Sequence, residues 1–76
     1  MRIFFTVTAQ RSGVELGRVF AESSKRAAEI WARRQHGRRA SAMLVHGSGI
    51  LSGLYQAYVP FKSGGLTSIG DGFRVS

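Results

Sequence analysis

Four arginines surround one glycine in the segment RRQHGRR, residues 33–39, and no acidic residue lies among them. The planar guanidinium group stays charged at neutral pH and matches the oxygens of phosphate or carboxylate, so the chemistry to consider is anion recognition. Basic residues in the last turn of a helix also interact favourably with its dipole, by about 0.3 to 1 kcal/mol each, which would account for Arg33 and Arg34. It would not account for Arg38 and Arg39, which follow the helix stop expected at Gly37. A solvated run of charge is the alternative interpretation of this pair.

The same surface is expected to include cations from the start of the helix. At 100° per residue, Lys25 and Arg26 fall with Arg33 on the side opposite the apolar stripe. Such a stripe can follow a phosphate backbone or contact an acidic protein surface. The predicted partner-binding residues are Lys25, Arg26, Arg33, Arg34, Arg38 and Arg39.

The composition fits a cationic binding protein. Eleven Lys and Arg residues against four acidic residues give a formal charge of +7, whose field attracts polyanions or acidic proteins. There is no cysteine, which excludes disulfides and thiolate chemistry and suits a reducing compartment. Thr6 and Thr8 break the apolar run near the N-terminus, which is too short for a secretory signal or a membrane span. We therefore expect a cytoplasmic protein without membrane association.

The titratable residues do not form a pattern typical of an enzyme. The acidic residues are scattered, and Glu29 has cations three and four positions away, which predicts intrahelical ion pairs. His36 and His46 are ten positions apart without cysteine or a nearby carboxylate, so no metal site is expected. The segment GSGILSG, residues 47–53, lacks the spacing of a nucleotide-binding loop and is predicted to be a hairpin turn. We expect no catalytic residue, no cofactor and no metal.

The periodicity of apolar residues predicts one domain over residues 1–76, of the α+β class. A helix capped by Ser23 or Ser24 should end at Gly37 and pack on one face of an antiparallel sheet of four to five strands, in the order ββαββ. The glycine-rich residues 62–72 are predicted to be a mobile loop. The predicted strands are Arg2–Ala9, Val14–Phe20, Ala40–His46, Ile50–Phe61 and a short last strand in FRVS.

Alternation along the long fourth strand predicts which side chains face the helix. Those of Leu51, Tyr55, Ala57, Val59 and Phe61 should share that face with Gly53, which would leave room for Trp31. Phe4 and Tyr58 are expected on the opposite, open face. Aromatic side chains exposed on a sheet can stack on unpaired bases, so this pair is a predicted secondary binding surface.

Several segments carry a resemblance to a known family. FAESSKRAAEIWARRQ after a hairpin, GLYQAY in a late strand and the final FRV resemble small phage-encoded anti-CRISPR proteins that inhibit type I Cascade surveillance complexes. The matched residues are Ala21–Ser23, the helix alanines, Gly53–Leu54 and Ala57–Tyr58. The resemblance implies a non-enzymatic inhibitor in the cytoplasm of an infected bacterium, docked where guide RNA meets target DNA. It transfers no contact residue, because the family's basic contacts lie outside the matched segments.

Two other function classes stay open at this stage. A small regulator could bind nucleic acid directly through the arginine stripe or the open sheet face. A structural protein could self-associate through an exposed sheet edge, although that needs no basic cluster. The expected partner is thus a protein or nucleoprotein complex, with direct nucleic-acid contact as the alternative, and the chain is expected to be a monomer or a small homo-oligomer.

Overall fold

A computed structural model describes residues 1–61 and 63–76, which form five antiparallel strands with one helix across one face of the sheet. The predicted α+β class is confirmed. The order along the chain is ββαβββ, because the last strand is longer than predicted. The elements are β1 (Ile3–Ala9), β2 (Glu15–Ala21), α1 (Ser24–His36), β3 (Ser41–Gly47), β4 (Gly53–Pro60) and β5 (Leu66–Val75).

The last strand lies in the middle of the sheet, whose strand order is β2-β1-β5-β4-β3. Its C-terminal half pairs with both neighbours, since Val75 lies opposite Val7 of β1 and Gly53 of β4. The prediction of a mobile loop over residues 62–72 is therefore wrong from Leu66 onward, and Lys62 lies outside the described residues.

The loop prediction was wrong because these glycines belong to an irregular strand rather than to a loop. Between Tyr55 and Ala57 of β4 the register with β5 shifts, and Gly70 adopts a φ of 65° there, which glycine tolerates without a Cβ clash. The Gln56 side-chain amide donates to the carbonyl oxygens of Ile69 and Gly70, both at 3.1 Å. A side chain from β4 thus supplies the hydrogen bonds that an irregular β5 cannot make with a regular partner.

The helix begins and ends where its capping residues predicted. Ser23 is the N-cap, and its hydroxyl accepts a hydrogen bond from the Arg26 N–H at 3.1 Å. Gly37 ends the helix with a φ of 95°, and its N–H donates to the Arg33 carbonyl at 2.9 Å. Ser24, the other N-cap candidate, is instead buried with its Oγ 2.8 Å from the hydroxyl oxygen of Tyr55.

The loop between β3 and β4 holds the first turn of α1. The N–H groups of Ser24 and Lys25 donate to the carbonyl oxygens of Ile50 and Gly49, at 2.7 and 3.0 Å. These donors have no partner inside the helix, so the loop satisfies them. Ile50 and Leu51 were predicted to belong to a strand with Leu51 facing the helix; both lie in the loop instead, and Leu51 is 69% exposed.

The core lies between the inner face of the sheet and a stripe of alanines on the helix. Small alanines at positions 27, 28 and 32 allow α1 to approach the sheet closely, and all three are fully buried. Phe61 was predicted to face this core but is exposed beyond the end of β4. The buried sheet residues are Phe5, Val7, Val19, Ala21, Ala42, Tyr55, Ala57, Phe73 and Val75.

Trp31 packs on a different glycine from the one predicted. It is half-buried and lies against Gly17 of β2. The space above Gly53 is taken by Leu44 and the Tyr55 ring, both of which would be within 2.8 Å of an added Cβ. The prediction failed because the helix runs toward β2 in its second half, which strand alternation alone does not reveal.

Candidate functional site

All six cations of the predicted binding surface are exposed. None has a carboxylate oxygen within 4.0 Å among the residues that the structure describes, so their charge is not neutralised within the chain. The six residues are Lys25, Arg26, Arg33, Arg34, Arg38 and Arg39.

The structure divides the predicted stripe into parts that face different directions. Arg26 and Arg33, two turns apart, point outward from the sheet on the side opposite the buried alanines. Lys25 lies on the β3 side of the helix, where it lines a groove with Met43 and Leu44. The stripe is therefore not one continuous line of charge.

Arg34 has a structural role that the sequence did not indicate. It lies on the β2 side of α1, and its Nη1 donates a hydrogen bond to the carbonyl oxygen of Arg18 at 3.4 Å. This bond joins the last turn of the helix to β2, an edge strand of the sheet. Arg34 is thus less available to a partner than Arg33 beside it.

Four of the six exposed cations lie where α1 ends. Gly37 stops the helix, and a tight turn follows in which the Ala40 N–H donates to the Gly37 carbonyl at 3.0 Å. Arg38 and Arg39 form the exposed part of this turn, directly after the stop. We call Arg33, Arg38 and Arg39 the helix-end cluster.

The surplus of positive charge is concentrated in the helix and this turn. Residues 24–39 hold six Lys and Arg side chains and one carboxylate, which gives +5 of the chain's formal charge of +7. Elsewhere, three exposed carboxylates each lie within 4.0 Å of an arginine. These pairs are Arg2–Glu22 at 3.8 Å, Arg11–Asp71 at 3.9 Å and Arg18–Glu15 at 3.8 Å.

Glu29, the one carboxylate of the helix, does not form the predicted intrahelical ion pairs. No Lys or Arg nitrogen of the described residues lies within 4.0 Å of it, although Lys25 is one turn away. Glu29 is half-buried and lines the same groove as Lys25, beside β3. With respect to the residues that the structure describes, the helix therefore offers an unpaired carboxylate on its β3 side and unpaired cations on its outer side.

The two aromatic residues of the predicted secondary surface do not lie together. Both are on the open face of the sheet. Phe4 precedes Thr8 of β1 by four residues, and Tyr58 follows Leu54 of β4 by four residues. Since β1 and β4 run in the same direction, the two aromatic residues lie on opposite sides of the level of Thr8 and Leu54. Thr8 and Leu54 both lie opposite Arg74, so about eight residue steps, roughly 26 Å, separate the two aromatic side chains. They cannot hold neighbouring bases as one platform.

Phe4 instead has an aromatic neighbour that the predicted surface did not include. Phe20 of β2 lies directly opposite it, with ring centroids 4.9 Å apart, and Phe4 is 69% exposed. Pairing of the two hairpin strands was predicted, but alternation along each strand does not specify the register that matches Phe4 with Phe20. This exposed pair belongs to a face on which the nearby arginines Arg2 and Arg18 are already paired with carboxylates.

The two histidines lie in different secondary-structure elements. His36 ends α1 and His46 lies in β3, and no group of three or more metal-ligating side chains occurs within residues 1–61 and 63–76. Over the same residues, no helix has the length and apolar character needed to cross a lipid bilayer. A cleft of about 390 Å³ beside Trp31 is lined by His36 and by residues 69–73 of β5.

Comparison with protein-family models, with curated proteins and with solved structures gave no match to this chain. We therefore infer a function from the geometry and charge of the chain itself.

Proposed function

We propose that this protein is a non-enzymatic binding protein that contacts the phosphates of a nucleic acid through the helix-end cluster. The observation that carries the proposal is the separation of charge: residues 24–39 hold +5 of the total +7 without an internal ion pair among the described residues, while the carboxylates elsewhere lie beside arginines. A polyanion is the partner that gains most from such a surface, because it releases its condensed counterions on binding.

The local structure suits the role. Gly37 ends the helix in a conformation that turns the chain, so Arg38 and Arg39 extend the cationic surface beyond the last turn that carries Arg33. The guanidinium group of Arg33 in the last helical turn and those of Arg38 and Arg39 in the hydrogen-bonded turn after it can each donate to a different phosphate oxygen. The fold fixes the backbone of the cluster and leaves the side chains free to adjust.

A second candidate is inhibition of a nucleoprotein complex, as the resemblance to anti-CRISPR proteins of type I Cascade implies. The observation in its favour is that the groove with Lys25 also contains the exposed apolar side chains of Met43 and Leu44, a mixture suited to a protein surface next to nucleic acid. In this form the protein would act in the cytoplasm of the host cell and inhibit stoichiometrically.

A pair of charge-matched variants tests the first candidate. Replacing Arg33, Arg38 and Arg39 with alanine removes three free cations, whereas replacing Arg2, Arg11 and Arg18 removes three cations that lie beside carboxylates. Affinity for duplex DNA, single-stranded DNA and RNA is titrated over a range of salt. The first variant should lose about 0.7 to 0.9 in the slope of log affinity against log salt for each contact removed, and the second should keep a slope near that of the wild type.

The second candidate is tested with purified Cascade in the same experiment. An inhibitor should bind the complex far more tightly than free nucleic acid and should block loading of target DNA, and the helix-end variant should restore loading. If the two variants behave alike in both assays, the helix-end cluster is a solvated run of charge and both candidates are wrong.

A further inference from the structure

The two edge strands of the sheet differ in how well they are protected against pairing with another strand. Exposed edges present unpaired backbone groups, and stable monomers protect them with charges, proline or a covering side chain. β2 carries the charged residues Glu15 and Arg18. In addition, the Arg34 side chain from the helix donates a hydrogen bond to the Arg18 carbonyl oxygen. That edge is protected in two ways.

β3 has neither protection. Its sequence SAMLVHG contains no Lys, Arg, Asp, Glu or Pro. Its exposed side chains are apolar apart from His46 near its C-terminal end, with Met43 at 51% and Val45 at 60% exposure. A register shift with β4 between Leu44 and His46 protects only the C-terminal end of the strand. Such an edge is suited to pairing with another strand.

We propose that β3 pairs antiparallel with β3 of a second copy of this chain, around a two-fold axis at Met43. In that register Met43 lies opposite itself and Ala42 lies opposite Leu44. Ala42 and Leu44 both face the helix side, since their neighbours in β4 are the buried Ala57 and Tyr55. Facing residues therefore lie on the same side, as antiparallel pairing requires. The product is a ten-stranded sheet with both helices on one face.

The groove beside β3 is the reason to assign a second copy as the occupant. It measures about 340 Å³ and is lined by Lys25 and Glu29 of α1, by β3 residues 41–44 and by Tyr58 of β4. Neither charge has an ion-pair partner within the described chain. A two-fold axis brings the same groove from the other copy, so Lys25 of one copy can meet Glu29 of the other, twice. A nucleic acid would be repelled by Glu29 and would gain nothing from the apolar strand.

Pairing through β3 does not depend on nucleic-acid binding by the helix-end cluster, although it would occupy the groove that the second candidate assigns to a protein partner. Salt separates pairing from nucleic-acid binding. Nucleic-acid binding weakens as salt rises. Each copy carries a formal charge of +7, so the repulsion between copies is screened by salt, and dimerisation through an apolar strand should not weaken in the same way. Dimerisation would set two helix-end clusters on one face of the assembly.

Cysteine cross-linking tests the predicted axis, because the chain has no cysteine of its own. Directly opposite residues of antiparallel strands have Cα atoms about 4.5 to 5.5 Å apart, within the range that a disulfide spans. Under mild oxidation the Met43→Cys variant should form a covalent dimer of twice 8.3 kDa. The control is Leu16→Cys on β2, a position of similar exposure at 47%, which should cross-link far more slowly.

A charge exchange tests the groove without altering β3. Sedimentation equilibrium of the wild type should show a monomer–dimer equilibrium, and Lys25→Glu should weaken it by about tenfold, since like charges then meet. The double variant Lys25→Glu, Glu29→Lys should recover the wild-type dimerisation constant. A wild type that is monomeric up to millimolar concentration, or equal cross-linking rates at positions 43 and 16, would overturn the proposal.

Discussion

The indole of Trp31 lies against Gly17, a point where α1 meets β2 through a residue without a side chain. A Cβ at position 17 would come 2.7 Å from Cζ3 and 3.0 Å from Cη2 of Trp31. These distances are shorter than carbon–carbon contact allows. The glycine therefore sets how closely the second half of the helix approaches the edge of the sheet.

Gly17→Ala should destabilise the protein by about 1 to 3 kcal/mol, because the added methyl group must displace the half-buried indole that packs against the core. Thermal or urea unfolding measures the loss. Gly65→Ala is the matched control, since its nearest atom, Phe61 Cδ2, would be 3.4 Å away. We expect a change of no more than about 0.5 kcal/mol there. A change within about 0.5 kcal/mol for Gly17→Ala as well would show that Trp31 moves aside freely.

Tyr55→Phe should cost about 1 to 2 kcal/mol of stability. The Tyr55 ring stays buried, but Ser24 Oγ, 2.8 Å from the lost hydroxyl, is left without a partner in the core. Denaturant unfolding of Tyr55→Phe, Ser24→Ala and the double variant measures the coupling. The double variant should be less destabilised than the sum of the two single variants. Strict additivity would show that the two hydroxyls do not interact.

Gln56→Glu should destabilise the sheet by about 2 kcal/mol or more. The substitution keeps the shape but replaces the donating amide with an oxygen that faces the Ile69 and Gly70 carbonyls at 3.1 Å. Hydrogen exchange should become faster in residues 69–72 of β5. The control is Gln35→Glu at an exposed position near the end of α1, where an unfavourable interaction with the helix dipole of about 1 kcal/mol or less is expected, together with weak repulsion from Asp71 in the cleft that both residues line. Similar losses at both positions would contradict a special role for Gln56.

Arg33→Ala and Arg34→Ala should have different effects although the residues are adjacent and carry the same charge. Arg33→Ala should lower nucleic-acid affinity and its salt slope while changing stability by no more than about 0.5 kcal/mol. Arg34→Ala should have the smaller effect on affinity, and should speed hydrogen exchange along β2, because its bond to the Arg18 carbonyl is lost. Nucleic-acid titration of the two variants measures the affinities, and hydrogen exchange measures the protection of β2. Wild-type affinity in both variants would show that neither side chain contacts the partner.

The local elements of this protein could be predicted because each depends on neighbouring residues. Alternation identified β1 and placed Tyr55 and Ala57 inside, and a serine and a glycine identified both ends of the helix. The exposure of the six predicted cations also followed from helical periodicity and the helix stop. Each of these depends on a repeat of two or 3.6 residues, or on a cap within one turn.

The sequence by itself therefore determined the class of fold, the limits of the helix and the concentration of charge at its end. Tertiary structure alone decided that glycine-rich residues 66–75 form the central strand, because the amide that completes their hydrogen bonding comes from Gln56 of the preceding strand. It also decided that the Trp31 ring packs on Gly17 and that the Arg34 side chain donates to the backbone carbonyl of Arg18. These contacts join residues whose proximity depends on strand order and register, which no local periodicity specifies.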